Sequence, residues 1–313
     1  MNTICTVTTI KAPLLDTIMF VNYHLNLGID RLFLYFDDPD DPAISYLKNH
    51  DRITCIRCTE EYWRSHPDCR TFIVIEKQKI NAQDALAMAR EQGFGWIAHI
   101  DADELIFSGQ DIKNVLRQTT ARILRFEIHE AVPEKKSYPN IFNDVTLFKK
   151  NSSDTRKKWA RMLGCRKFFY AGRYFRGHAA SKNAVRTNLD IAGLGIHRPI
   201  MMDADEPIAD TRRIKLLHFD CCGLDAWKTK WLQRLRDTPE SSRRRSPARN
   251  MQLKEFRNAY AGPNREEKLL ELYNRLYGFP RYEKMILSGL NMLTRIRINQ
   301  TWFEGPIKIN SSQ

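Results

Sequence analysis

The stretch Gly93-Phe94-Gly95-Trp96-Ile97-Ala98-His99-Ile100-Asp101-Ala102-Asp103-Glu104 constrains the fold of this chain more than any other. Its apolar run, residues 96–100, is too short for a helix and too continuous for a half-solvated strand. It therefore predicts a strand buried on both faces, as in a parallel sheet. The run stops in three carboxylates within four residues. Ligands of open α/β sheets gather beyond the carboxyl ends of the strands, so a site is expected at this stop. Strand alternation puts Asp101 and Asp103 on one side, with Glu104 opposite. Two carboxylates side by side repel each other, and a hard divalent cation with oxygen ligands relieves that repulsion. A solvated acidic turn after a core strand is the plainer alternative.

Ahead of that strand the chain alternates. Residues 3–10 are rich in β-branched side chains and read as a first strand. Pro13 opens a helix whose Leu14, Ile18, Val21 and Leu25 share a face and which Gly28 closes. Residues 31–36 give a second strand, closing on Asp37-Asp38-Pro39-Asp40-Asp41-Pro42. A short helix over 43–49, a third strand over 53–58 and an irregular loop over 59–70 follow. Ala82, Ala85, Leu86 and Ala89 then repeat at helical spacing up to Gly93. This order predicts an α/β fold with an open, mostly parallel, Rossmann-like sheet and helices on both faces. No Gly-x-Gly-x-x-Gly follows the first strand and no P-loop occurs, which disfavours dinucleotide binding and excludes a P-loop nucleotidase.

Beyond the triplet, strands are expected over 121–128 and 214–219 and extended segments over 168–175 and 178–186. Residues 131–160 are polar and carry no assignment. Alternation in 178–186 sets His178, Ala180, Lys182, Ala184 and Arg186 on one face, a basic stripe that an ordinary solvated strand also wears. The last part reads as helices, one with a Trp227, Trp231 and Leu235 stripe, another with Leu269, Leu272, Tyr273 and Leu276. Arg243-Arg244-Arg245-Ser246-Pro247 is expected to be an exposed basic linker. Asp-Ala-Asp-Glu recurs at 203–206 without a strand before it and reads as an acidic loop. The domain expectation is residues 1–225 for the sheet domain and 226–313 for a basic helical extension.

The net charge of +13 is unevenly placed. Residues 1–150 carry 18 Lys and Arg against 21 Asp and Glu, whereas residues 151–313 carry 32 against 16. The basic half points to an anionic partner, phosphate above all. No apolar run reaches the length of a membrane span, and the start lacks a basic and then apolar leader, so no spanning helix or secretory signal is expected. The 7 cysteines are odd in number and scattered, which fits inert thiols in a reducing, cytoplasmic setting.

The order of parts resembles a known family. A helix ending near Tyr23-His24-Leu25-Asn26-Leu27-Gly28-Ile29-Asp30, the strand Leu32-Phe33-Leu34-Tyr35 closing on aspartates, and Trp96-Ile97-Ala98-His99-Ile100-Asp101-Ala102-Asp103-Glu104 look like a family 2-like glycosyltransferase of the GT-A fold. The chain is also similar to family 92, and the resemblance covers roughly residues 1–230. It implies metal-dependent transfer of a sugar from a nucleotide-sugar, UDP-sugar foremost, to a carbohydrate or lipid-linked acceptor. It further implies Asp103 as ligand of Mn²⁺ or Mg²⁺, Asp101 at the ribose or the metal, and Asp37 or Asp38 near the base and ribose. Lys182 and Arg186 occupy the place of a strand that approaches the diphosphate. Leu216-Leu217-His218-Phe219-Asp220-Cys221-Cys222-Gly223 is similar to the strand-then-His element that completes a metal shell, with Lys228 or Lys230 downstream for the diphosphate. His197, which also ends an extended segment, is the rival ligand. The family's Lys-Asn-Glu after the first strand reads Lys11-Ala12-Pro13 here, so the Asn and Glu contacts are absent.

An inverting transferase needs a carboxylate to take the acceptor proton. Glu127 and Glu130 are the candidates by position, although a surface Glu paired with Arg125 or Lys135 is the plainer reading of each. Two other function classes compete. A nucleotidyltransferase also sets carboxylates at strand ends, but lacks here its Gly-rich phosphate loop. A non-enzymatic binder of an anionic membrane or, less expected, nucleic acid would use the Trp227/Trp231 helix with Lys228, Lys230, Arg234 and Arg236, although tryptophans on a shared stripe are more often core packing. A peripheral place at the inner face of a membrane is consistent with either an enzyme or a binder.

Overall fold

The computed structural model of the chain describes residues 2–66, 73–177, 180–202, 206–236 and 246–309. The expectations for His178, for residues 67–70 and 203–205, and for Arg243 to Arg245 fall outside the described residues. In chain order the elements are β1 (Ile4–Ile10), α1 (Leu14–Asn26), β2 (Arg31–Phe36), α2 (Ala43–Leu47), β3 (Ile53–Arg57), α3 (Glu60–Arg64), α4 (Val74–Glu91) and β4 (Trp96–His99). There follow β5 (Glu104–Ser108), α5 (Ile112–Gln118), β6 (Ile123–Ala131), α6 (Ile141–Asp144), β7 (Leu147–Lys150), α7 (Asp154–Met162), β8 (Asn183–Arg186), β9 (Ile191–Leu194) and β10 (Pro199–Met201). The last are β11 (Ile208–His218), α8 (Leu224–Arg236), α9 (Pro247–Ala261), α10 (Arg265–Tyr277), α11 (Arg281–Gly289) and β12 (Leu293–Arg295). No helix among the described residues is long and apolar enough to cross a membrane.

The chain forms two compact units that do not divide at residue 225. One takes 1–128, 180–217 and 298–313; the other takes 129–179 and 218–297. Two of the four boundaries fall inside β6 and at the end of β11, where an unbroken strand hides them from composition.

In the first unit β3, β2, β1 and β4 run parallel in that order. Every residue of β4 is buried, and β2 is buried from Leu32 onward, as strands covered on both faces must be. β8 pairs antiparallel with β4, and the start of β6 antiparallel with β8, so the sheet is mixed beyond its parallel half. β5 pairs with β11, and β9 with β10 in a separate hairpin. Gly28 and Gly93 stop α1 and α4 with φ of +93° and +72°, the left-handed geometry that only glycine adopts without strain. The buried face of α4, with Ala82, Ala85, Leu86 and Ala89, packs into the cluster of Val7, Phe33, Tyr35 and Ile97. Each large apolar side chain withdrawn from water there contributes about 1.5–3 kcal/mol. The buried polar Asn22 of α1 is satisfied by the C-terminal segment: its Nδ2 donates to Phe303 O at 3.2 Å and Ile307 O at 2.9 Å, and its Oδ1 accepts Ile307 N–H at 3.3 Å.

The second unit joins the end of β6 to β7 and β7 to β12, all antiparallel, and adds a helical core. Trp227 and Trp231 of α8 are fully buried against Phe256, Leu269, Leu272, Tyr273 and Leu276. The tryptophan stripe is therefore core, the plainer of its two readings, and is not available to a membrane or nucleic acid. Residues 168–175 also depart from an extended form, because Ala171 and Gly172 take positive φ and fold the segment into turns around a Tyr170–Arg173 bridge. The unassigned 131–160 region holds α6, β7 and most of α7.

Candidate active site

β1, β2, β3 and β4 are parallel, so their carboxyl ends share one edge of the first unit. β4 stops at His99, one residue before the expected end. Asp101 to Glu104 then form a turn: Glu104 N–H donates to Asp101 O at 3.0 Å, and Asp101 N–H returns to Glu104 Oε2 at 2.9 Å. Strand alternation therefore does not govern the triplet, and the expected opposite placement of Glu104 is corrected.

The turn closes around one buried amine. Lys182 Nζ donates to Asp101 Oδ1 at 3.1 Å and lies 3.7 Å from Glu104 Oε2, with its side chain 0% exposed. Burial alone would lower its pKa; the carboxylates of Asp101, Glu104 and Asp103 outweigh that and hold it raised. Gln78 of α4 donates Nε2 to Asp101 Oδ1 at 2.9 Å. The Asp101 side chain keeps 27% of its surface exposed, and Asp103 is half-buried.

A second charged group lies at the same edge. β1 and β2 end in register at Ile10 and Phe36, which brings the next residues, Lys11 and Asp37, together. Lys11 Nζ donates to Asp37 Oδ2 at 3.0 Å and Lys77 Nζ to Oδ1 at 2.6 Å. Burial would raise the Asp37 pKa, and the two lysines more than reverse it, so the carboxylate stays ionised below its ordinary range. Lys77 also lies 5.1 Å from the centre of the Trp63 ring on α3, a helix inside the expected loop over 59–70. Asp38 is exposed and caps its own turn through Asp40 N–H at 3.0 Å.

Other expected site residues have local partners of their own. Arg186 pairs with Trp96 at the opposite end of β4 and stacks on that ring at 4.2 Å. It lies four positions beyond Lys182, about 13 Å along the chain, so the two cations do not converge. His197 sits in the loop between β9 and β10, where its carbonyl accepts Asn183 Nδ2 at 2.5 Å. Glu127 is half-buried on β6. Within the second unit Glu130 is buried: it pairs with Lys149 and accepts Arg176 N–H at 2.9 Å and Gly177 N–H at 2.5 Å. Burial works to raise its pKa, and Lys149 with the two amides brings it below the usual carboxylate range. Its carboxylate is thus fully engaged within its own unit. His218 ends β11, and its ring faces Gly177 so closely that a Cβ there would meet it at 2.7 Å. Lys228 pairs with Glu266. Lys230 and Arg249 clamp the buried Asp220 at 2.6 and 3.0 Å, and together with Arg234 they hold its pKa far down against the cost of burial.

The residues that sequence reasoning missed are Gln78, Lys77 and Glu104 as a partner of Lys182. The first two lie at the start of α4, upstream of the periodic alanines that reveal the helix.

Known proteins with this pattern of sequence or fold are informative to different degrees. The sequence profile described as Glycosyltransferase family 92 matches residues 3–258. Two Arabidopsis thaliana proteins are similar: Glycosyltransferase-like At2g41451, 27% identical over 62% of this chain and 48% of its own length, and Glycosyltransferase-like At3g57200, 26% identical over 47% and 33%. The chain thus spans half or less of these relatives. Among solved structures, S. aureus TarS 1-349 aligns over 91% of this chain and 83% of its own at 9% identity with a TM-score of 0.36. HddC from Yersinia pseudotuberculosis aligns over 75% of this chain and 100% of its own at 8% identity with a TM-score of 0.36. Since the family profile runs through both the parallel strands and the carboxylate turn and covers most of the chain, the chain belongs to glycosyltransferase family 92.

Proposed function

We propose that this chain transfers a sugar from a nucleotide-sugar donor, a UDP-sugar first among those to test, to a hydroxyl of a carbohydrate or lipid-linked acceptor. The observation that supports this reading is the gathering of Asp101, Asp103 and Glu104 around buried Lys182 at the carboxyl edge of a parallel sheet, in a chain of a glycosyltransferase family. Asp101 and Asp103 offer hard carboxylate oxygens, a donor set that fits Mn²⁺ or Mg²⁺. His197 is proposed to add a neutral imidazole. Such a cation, when bound, supplies positive charge where the diphosphate leaves.

The chain's own residues have separate tasks in this proposal. Lys182 and Gln78 fix the orientation of Asp101, and the charge of Lys182 is already desolvated, so it needs no reorganisation as negative charge develops nearby. Asp37, pinned by Lys11 and Lys77, presents a fixed carboxylate edge and two cationic heads to the nucleoside end of a donor. Glu127 is the base proposed for an inverting reaction, since Glu130 is sealed into its own unit.

The test is hydrolysis of a series of nucleotide-sugars in Mn²⁺ without acceptor, together with nucleotide binding. Asp103→Asn should weaken nucleotide affinity in Mn²⁺ by an order of magnitude or more. Unchanged affinity would remove the metal assignment. Nucleotide transfer onto a sugar phosphate, without sugar release from any nucleotide-sugar, would replace the reading with a nucleotidyltransferase.

A further inference from the structure

The mixture of tryptophan and cations expected on α8 occurs instead on α7. Of the nine residues of α7, Ala160 alone is buried. Trp159, Met162 and Leu163 are 52, 66 and 52% exposed, and their spacing of three and one places them on one side of the helix end. Around them stand Arg156, Lys157, Lys158, Arg161, Arg166 and Lys167, against the single carboxylate of Asp154 in residues 154–167. α11 adjoins this stretch within the same unit. Glu283 accepts the N–H groups of Lys167 and Phe168 at 3.1 Å each, and Cys165 Sγ lies 3.8 Å from Glu283 O. Glu283 itself is buried and brings no charge to the surface, while its neighbours Tyr282 and Met285 are 54 and 74% exposed. Arg281 is exposed beside them.

We propose that this face of the second unit, α7 with the outer side of α11, rests on an anionic lipid bilayer. Trp159 would sit at the headgroup level, the depth that suits an indole, with Met162, Leu163 and Met285 reaching the start of the acyl chains. The surrounding lysines and arginines would bind lipid phosphates. Charge complementarity selects an anionic partner, and the aliphatic side chains select a bilayer over nucleic acid. A nucleic acid rewards cations and flat rings but gains nothing from exposed Met162, Leu163 and Met285. The inference is independent of the donor site, because its residues lie in the second unit and its test uses no nucleotide.

The experiment is co-sedimentation of the full chain with phosphatidylcholine vesicles, with and without phosphatidylglycerol, at low and high salt. Binding is expected only to the anionic vesicles and should fall with salt. Arg156→Gln and Lys158→Gln should each weaken it about fivefold. Trp159→Ser combined with Met162→Ser and Leu163→Ser should weaken it by more than tenfold. Trp159→Phe should remove the blue shift of tryptophan emission on vesicles while binding is largely kept. All these side chains are exposed, so thermal midpoints should stay at the wild-type value, which separates lost docking from lost folding. Three results would overturn the proposal: equal binding by the triple variant, retention on duplex DNA that the triple variant leaves intact in place of vesicle binding, or self-association without lipid abolished by the same substitutions.

Discussion

Lys182 and Lys149 are both completely buried amines paired with carboxylates, one in each unit, yet their surroundings differ. Lys149 is enclosed: it pairs with Glu130, donates to Tyr174 O at 2.9 Å and lies 5.5–5.9 Å from the rings of Phe168, Tyr174 and Phe279. Both oxygens of Glu130 accept backbone N–H groups, so every charge there is answered locally. Lys182 is equally buried and lies 3.7 Å from the buried Glu104, but its hydrogen-bonded partner Asp101 is more than a quarter exposed. One pair is closed on itself, and the other leaves a carboxylate facing solvent. Burial of a lysine thus says little about function until the exposure of its partner is known.

The largest expected effect breaks the closed pair. Lys149→Met should cost about 3–5 kcal/mol of stability in urea denaturation, because Glu130 is left charged and buried. Adding Glu130→Gln should recover much of that loss. If the single variant unfolded at the wild-type urea concentration, the contrast between the pairs would be void. Lys182→Met should cost less, about 1–3 kcal/mol, since Asp101 can turn to water and the buried Glu104 keeps the Asp101 N–H. In the proposed site it should also raise Mn²⁺ affinity severalfold in calorimetric titration, by removing a competing cation. Equal stability losses in the two lysine variants, with unchanged Mn²⁺ affinity, would erase the distinction.

Acid should separate the units as well. His24 in α1 donates from Nδ1 to Phe20 O at 2.8 Å and accepts Ile106 N–H on Nε2 at 3.3 Å, so it is neutral in the fold. Burial pushes its pKa down to about 4, against the pull of the Phe20 carbonyl. The unfolded chain binds the extra proton first, so stability is full above about pH 6.5 and falls as the pH drops toward 4, by up to about 3 kcal/mol. Glu130 and Asp220 of the second unit are depressed carboxylates. Their contribution is present above the unfolded carboxylate pKa and is lost only below it, as pH falls through the folded values. Hydrogen exchange between pH 7 and 5 should therefore show amides of α1 and β5 weakening first, and His24→Gln should flatten that slope. The smallest effects belong to Arg186→Gln and Lys228→Gln, each expected to change nucleotide affinity less than about twofold. A tenfold loss in either would restore the role that the family resemblance implies for it.

The parallel half of the fold was legible because continuous apolar runs and glycine stops are local signals. Residues 31–36 match β2, and Gly28 and Gly93 close their helices as read. Short elements escaped where caps carried the information and periodicity did not. Thr59 accepts Tyr62 N–H at 3.2 Å at the start of α3, and Ser153 accepts Arg156 N–H at 3.4 Å at the start of α7. Lys182 and Arg186 read alike in the sequence because both share a strand face, and only the antiparallel register of β8 on β4 tells which end each occupies. The two-unit division was beyond reach, since the chain crosses between units four times and two of the crossings fall within β6 and at the end of β11.

The tie between Asn22 and the C-terminal segment bears on the order of synthesis. Asn22 emerges from the ribosome 281 and 285 residues ahead of the carbonyls that receive its amide. At roughly 5–20 residues per second, that gap lasts on the order of tens of seconds. Throughout it, α1 carries a polar group on the face it must bury. The first unit can therefore gather its strands early, but the polar contacts that satisfy Asn22 close only after translation has passed Ile307.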